Sequence, residues 1–127
     1  MIAFLSSRAR SFRYAFSGWW FVIRTQRNAW IHTVVSLAVI AVSFWVKLPP
    51  RDWAAIIIAI ALVWTAEFLN TALEAVVDLA ANHEQHELAR VGKDVGAAAV
   101  LIAALSAVLI GVLILGPHLY RLLIDDF

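Results

Sequence analysis

The stretch Trp53-Ala54-Ala55-Ile56-Ile57-Ile58-Ala59-Ile60-Ala61-Leu62-Val63-Trp64-Thr65-Ala66-Glu67-Phe68-Leu69-Asn70-Thr71-Ala72-Leu73-Glu74-Ala75-Val76-Val77-Asp78 decides the fold. Its first half, Ala54 to Val63, is purely apolar; its second half carries Glu67, Asn70, Thr71, Glu74 and Asp78. The chain around it has 127 residues, 63% hydrophobic and 15% charged, with mean hydropathy +0.83. A soluble domain is nearer half apolar and about a quarter charged. One small core cannot hide that much apolar side chain, so lipid is the simpler solvent. With Glu67 at zero on a helical wheel of about 100° per residue, Thr71 falls near 40°, Glu74 near −20°, Asp78 near 20° and Asn70 near −60°. The five polar residues share one face. Ionisable side chains within a span are costly and turn toward a partner or a wet cavity.

Working outward, this helix runs from about Trp53 to Ala81 and is roughly 43 Å long, against a hydrocarbon core of about 30 Å. It must tilt or leave the bilayer in its last turns. Before it, Lys47-Leu48-Pro49-Pro50-Arg51-Asp52 is a tight connection in which the prolines stop one helix before the next begins. A first span covers Ala29 to Val46, with Trp30 and Trp45 near its ends, where amphipathic rings are favoured. Residues 4–27 read as an amphipathic helix. Phe12, Phe16, Trp19 and Ile23 recur at helical spacing, opposite Arg10, Arg13, Ser17, Arg24 and Arg27. A basic face opposite Trp and Phe suits a helix lying in the membrane interface. The plainer alternative is a soluble helix packed on its own protein.

Downstream, residues 82–90 form a polar connection and Gly92 to Leu115 a third span, ending at Gly116-Pro117. The expected fold is an all-α membrane protein. Residues 1–28 form an amphipathic surface helix, and residues 29–127 carry three transmembrane helices. Seven Lys and Arg flank the N-terminal side and the 82–94 connection; three (Lys47, Arg51, Arg121) flank the other. The positive-inside rule puts the N-terminus in the cytoplasm. The membrane is then the inner (plasma) membrane, with the acids of the second span at its cytoplasmic end.

Composition also excludes. There is no cysteine, so disulfides, thiolate catalysis and cysteine-ligated metals are absent. The net charge of +1 predicts no nucleic-acid partner. The arginines interrupting the N-terminal apolar residues rule out a cleavable signal. No G-x-x-x-x-G-K-[ST], G-x-G-x-x-G or G-x-S-x-G occurs. His83-Glu84-Gln85-His86 is one residue short of H-E-x-x-H and reads as a solvated connection.

Glu67 lies about 21 Å from the outer end of its helix and Glu74 about 10 Å further. A carboxylate withdrawn from water can serve as general base. Carboxylates nearer water can hold magnesium, which takes oxygen ligands and keeps phosphate partners. The competing reading is a polar seam between helices, but a seam is expected to use Ser, Thr or Asn rather than three acids. Lys93 and Asp94 begin the third span. A lysine opposes the dipole there, and a bound phosphate would give it a reason; the competing reading is a positive-inside lysine. Gly92, Gly96, Ala99 and Ala103 permit close helix packing. His32 could cap, pair, or sit at the interface.

The string Ala66-Glu67-Phe68-Leu69-Asn70-Thr71-Ala72-Leu73-Glu74-Ala75-Val76-Val77-Asp78 resembles the signature of the prokaryotic diacylglycerol kinase family, which includes the undecaprenol kinases. His86-Glu87-Leu88 and Lys93-Asp94-Val95-Gly96-Ala97-Ala98-Ala99 reinforce it, in the family's order and close to its spacing. The resemblance covers about residues 10 to 115. It implies a homotrimeric enzyme of three spans and a surface helix that transfers the ATP γ-phosphate to a lipid hydroxyl with Mg2+. By position, Glu67 resembles the general base and Glu74 the metal- and nucleotide-binding glutamate. Asn70, Asp78, Glu84, Gln85, His86, Lys93 and Asp94 match the nucleotide side, and Tyr14 matches a tyrosine near the nucleotide. The polar loop differs slightly in length from some members, which bears on Glu84 and Gln85. Gln26 falls where many members have a second metal-binding glutamate, so magnesium binding there is expected to be weaker or water-mediated. Arg27-Asn28-Ala29-Trp30-Ile31-His32 resembles the undecaprenol kinase branch more than the diacylglycerol branch. Two other classes share some of these features: a small ion-coupled transporter, which needs acids near the midplane, and a non-enzymatic assembly factor.

Overall fold

A computed structural model describes residues 2–82, 84 and 86–125. Among them are four helices: α1 (Ile2–Thr25), α2 (Arg27–Trp45), α3 (Pro50–Ala80) and α4 (Glu87–Asp125). Three stretches, Arg27–Trp45, Pro50–Ala80 and Glu87–Ile124, are long and apolar enough to cross a membrane. The expected all-helical membrane architecture is therefore present, with boundaries that differ in informative ways.

The first difference is at Gln26. The amphipathic reading ran to residue 27 and the first span began at Ala29; instead one residue, Gln26, separates α1 from α2 in extended conformation (φ −99°, ψ 118°). Its N–H still donates to Val22 O at 2.9 Å, so α1 ends with its hydrogen bonding intact. The second difference is at Pro50, read as a helix stop. It is the first residue of α3, following Pro49 at the N-cap. A proline there forfeits an N–H that has no helical partner anyway, and its φ is already helical.

α2 is closed by Lys47, which adopts the left-handed conformation (φ 53°). Leu48 N–H donates to Ser43 O and Lys47 N–H to Phe44 O, each at 3.1 Å. This pair of reversed bonds satisfies the last carbonyls of α2. Asn82 (φ 50°) closes α3 in the same conformation, which asparagine tolerates better than most residues.

The largest correction is α4. The sequence reading ran it from Gly92 to Leu115 and ended it at Gly116-Pro117. It starts at Glu87 and continues through Pro117 to Asp125. At its start, Arg90 pairs with Glu87 at 2.5 Å and with Asp94 at 2.8 Å, three- and four-residue spacings that favour helix. At Pro117 the usual clash of the proline ring with the preceding side chain is missing, because that residue is glycine. Beyond it, Leu119 and Leu122 still pack on a buried cluster of Val46, Leu48, Ile56 and Leu115.

α3 runs antiparallel to both its neighbours. Against α2, His32 meets Glu67, Ser36 meets Trp64 and Phe44 meets Trp53. Against α4, Asp78 meets Lys93, Val77 lies at Gly92, Asn70 at Gly96 and Asp52 at His118. α1 joins through Trp19, stacked on Trp64 with centroids 4.7 Å apart, and through Val22, buried with Ala29 and Trp64. Outward-facing residues such as Leu37, Phe44, Ile58, Leu109 and Leu113 are exposed on the single chain, as lipid or a second copy allows.

Candidate active site

α3 carries the polar face that its sequence predicted, and packing grades it by depth. Glu67 is 1% exposed and Thr71 and Asn70 are buried; Glu74 and Asp78 are half-buried. Thr71 Oγ1 donates to Glu67 O at 2.9 Å, so its hydroxyl is satisfied within the helix. Asn70 Nδ2 donates to Glu74 Oε1 at 2.9 Å. That bond orients the Glu74 carboxylate and engages one of its oxygens.

Three polar atoms are buried without a hydrogen-bond partner among the described residues: His32 Nε2, Glu67 Oε2 and Asn70 Oδ1. The first two face each other at 3.6 Å across α2 and α3. Burying such groups is costly unless something pairs them. The third is pressed against Gly96, where an added Cβ would collide with Asn70 Oδ1.

A polar cavity of about 280 Å³ is lined by Gln26, Asn28, His32, Asn70 and Glu74, with Ala97 and Val100 of α4 as its far wall. On the other side of Glu74, a cavity of about 510 Å³ takes in Gln26, Thr71 and Asp78. Gln26 and Glu74 thus share two cavities. Gln26 makes no side-chain capping bond to α2, which leaves its amide available to them. A third cavity of about 660 Å³ gathers Asp78, Glu84, His86, Glu87, Arg90 and Lys93. An apolar groove of about 540 Å³ between α2, α3 and α4 meets the polar cavity at Ile31, His32 and Ala104, which line both.

The sequence-predicted residues fall into these places. Asn70, Glu74 and Gln26 share the polar cavity, and Glu67 lies against His32 of its lining. Asp78, Glu84, His86 and Lys93 share the adjoining cavity. Lys93 sits in the second turn of α4 rather than at its start, and Nζ pairs with Asp78 at 2.5 Å. Its position therefore has a protein partner, and no bound phosphate is needed to account for a lysine at this end of α4. Asp94 points outward to Arg90, and Tyr14 is 66% exposed on α1; neither lines the cavities described above. Gln85 and His83 lie outside the described residues.

His32 is the residue whose role the sequence left open, and the pairing reading is the one the structure selects. Arg90, in the same cavity as Lys93, was counted only as a flanking charge. Both depend on the register between helices, for which spacing along one helix gives no signal.

Magnesium suits this donor set. Glu74 offers one engaged carboxylate and Gln26 a carbonyl oxygen beside it, both hard oxygen ligands. Among the described residues no group of three His, Asp or Glu is close enough to hold a metal by itself. Magnesium held by few protein ligands takes its remaining ligands from phosphate and water.

A three-span helical membrane protein with a buried glutamate behind a histidine that lines both an apolar groove and a polar cavity is the class that this geometry defines. The family model for prokaryotic diacylglycerol kinase matches residues 13–115. The chain is 44% identical over 114 residues to a diacylglycerol kinase of Synechocystis sp., covering 90% of this chain and 65% of that protein's length. It is 38% identical over 110 residues to the undecaprenol kinase of Bacillus subtilis, covering 87% and 89%. It is 36% identical over 99 residues to the diacylglycerol kinase of Escherichia coli K12, covering 72% and 80%. The chain belongs to the prokaryotic diacylglycerol kinase family, a family of membrane lipid kinases. The transporter reading finds no support among these relatives.

Proposed function

We propose that this chain is an ATP-dependent kinase that phosphorylates the hydroxyl of a membrane lipid alcohol, with Glu67 as general base. The observation that carries the reading is the place of Glu67. It is buried against His32, the side chain that lines both the apolar groove of α2, α3 and α4 and the polar cavity of Glu74 and Gln26. A lipid alcohol has an apolar chain for the first space and a hydroxyl for the second.

In the proposed reaction Glu67 accepts the hydroxyl proton as the lipid oxygen attacks the γ-phosphorus. The new oxygen–phosphorus bond forms, the β,γ-bridging bond breaks, and ADP leaves. Asn70 holds Glu74 in place. Glu74 and Gln26 would hold Mg2+, which neutralises charge on the phosphates when bound. Lys93 exchanges Asp78 for the phosphate oxygens, and Glu84 and His86 share its cavity on the nucleotide side. Asp94, Gln85 and Tyr14 belong to this proposal by position in the sequence alone. The rest of the assignment is a homotrimer in the inner membrane with a cytoplasmic N-terminus, α1 lying in the interface and residues 29–127 forming the kinase domain.

The lipid is undecaprenol or diacylglycerol. The 27–32 stretch favours undecaprenol, and the relatives include both kinds of kinase. Assaying both alcohols side by side with Mg-ATP decides between them. Glu67→Gln keeps the shape and the hydrogen bonding but takes no proton. It should lower turnover by about 10² to 10⁴, with ATP still bound and the assembly intact. Near-normal turnover from an intact Glu67→Gln protein would remove the central assignment.

A further inference from the structure

We propose that His32 is the positioning residue of the general base, donating Nε2–H to Glu67 Oε2 and so fixing which way the carboxylate faces. The inference rests on the assignment of Glu67 above.

The two atoms are 3.6 Å apart, both closed off from solvent, and neither has another hydrogen-bond partner among the described residues. Two orphaned groups of complementary kind facing each other across a helix pair are closed by a small rotation of either side chain. Without that bond Glu67 Oε2 is left unsatisfied, at the cost usual for a buried acceptor. The side chains have little freedom to turn elsewhere. The imidazole stands edge-on to Trp64, with centroids 6.3 Å apart and planes at 67°. Trp64 is itself fixed from two sides: Nε1 donates to Ser36 Oγ at 3.2 Å, and the ring stacks on Trp19. Ser36 lies one turn beyond His32 on α2, and Trp64 nearly one turn before Glu67 on α3. The two contacts therefore lock one register. Ala29, one turn before His32, is 0% exposed and lets the helices approach.

Asn70 gives its amide to Glu74, and the α4 wall there is Ala97, Val100, Leu101 and Ala104. His32 is the basic side chain of that lining. It faces the base at 3.6 Å, so its removal should act chiefly on the chemical step.

The test compares His32→Leu, His32→Phe and His32→Gln in the full-length protein in detergent, with kcat, the KM for Mg-ATP and thermal unfolding measured on each. Leu and Phe remove the donor, Phe keeping a ring against Trp64; Gln restores an N–H at similar reach. Leu and Phe are expected to lower kcat by about 10-fold or more, with the ATP KM within about 2-fold, and Gln to recover kcat to within about 3-fold of the parent. In a Glu67→Asp background, whose carboxylate is drawn back toward α3, His32→Phe should cost less than about 3-fold more. Full kcat in Leu or Phe overturns the proposal, as does Gln no better than Phe, or an undiminished loss in the Glu67→Asp background. Should Leu fail to assemble, the Phe and Gln pair decides. An active Glu67→Gln enzyme would instead overturn the general-base assignment, so the two failures are distinguishable.

Discussion

Glu74 on α3 and Gln26 at the junction of α1 and α2 reach the same two cavities, and they are the residues on which metal dependence should turn. Glu74→Gln removes the one anionic ligand of the pair. It leaves Asn70 Nδ2 an oxygen to donate to, so folding should be little changed. Affinity for Mg-ATP should fall by about 10-fold or more in a direct binding measurement; unchanged affinity would count against the metal role. Gln26→Glu adds the missing charge at a position where the side chain is not spent on capping. It should lower the magnesium concentration needed for half-maximal activity, and an unaltered magnesium titration would show that Gln26 points elsewhere. The sequence made Glu67, Asn70, Glu74 and Asp78 legible together because one helix carries them all and its period places them on one face. It could not resolve His32 among capping, pairing and interfacial roles, since that choice depends on how α2 is set against α3. Asp94 shows the converse: its neighbour in sequence, Lys93, turns inward to Asp78 while it turns out to Arg90.

Of the glycines on α4, Gly96 lies most tightly against α3. A side chain there would meet Asn70 Oδ1 and come within 3.1 Å of Leu73 Cδ2. Gly96→Leu should force the helices apart, costing about 1–3 kcal/mol, and should disturb the Asn70–Glu74 bond, so that Mg-ATP binding falls with stability. Gly111→Ala on the same helix meets nothing within 4 Å. It should gain up to about 1 kcal/mol of stability from helix propensity. Reversible unfolding in mixed micelles measures both. If the two glycines respond alike, close approach at Gly96 is not what the site requires. The spacing of small residues pointed to this seam, with Gly92 and Gly96 against α3 and Ala103 buried, but Ala99 is exposed. Existence and order of the helices were legible because apolar runs of span length admit few alternatives. Their ends were not. Prolines carry opposite meanings at a first turn and after a glycine, and only the packing of Leu119 and Leu122 carries α4 onward.

On the scale of the whole molecule, the single chain leaves the cavities around Asp78 open and many large apolar residues uncovered. Three spans do not enclose such a site, so we expect copies of the chain to complete it. Native mass measurement of the detergent-solubilised protein should give three chains per particle, and a monomer with full activity would overturn that expectation. α4 is clasped to α3 at two places. One is Lys93 to Asp78 beside the site; the other is His118 to Asp52, 3.7 Å apart, at the opposite end. About 38 Å of unbroken helix lies between them. Such a member behaves as a tie-rod. Sliding it by one turn, about 5 Å, would undo both clasps at once and carry Lys93 out of line with the carboxylates. The depth at which the proposed nucleotide lysine sits is thus gauged from the opposite end of the bundle, by an aspartate and a histidine more than about 30 Å of helix away.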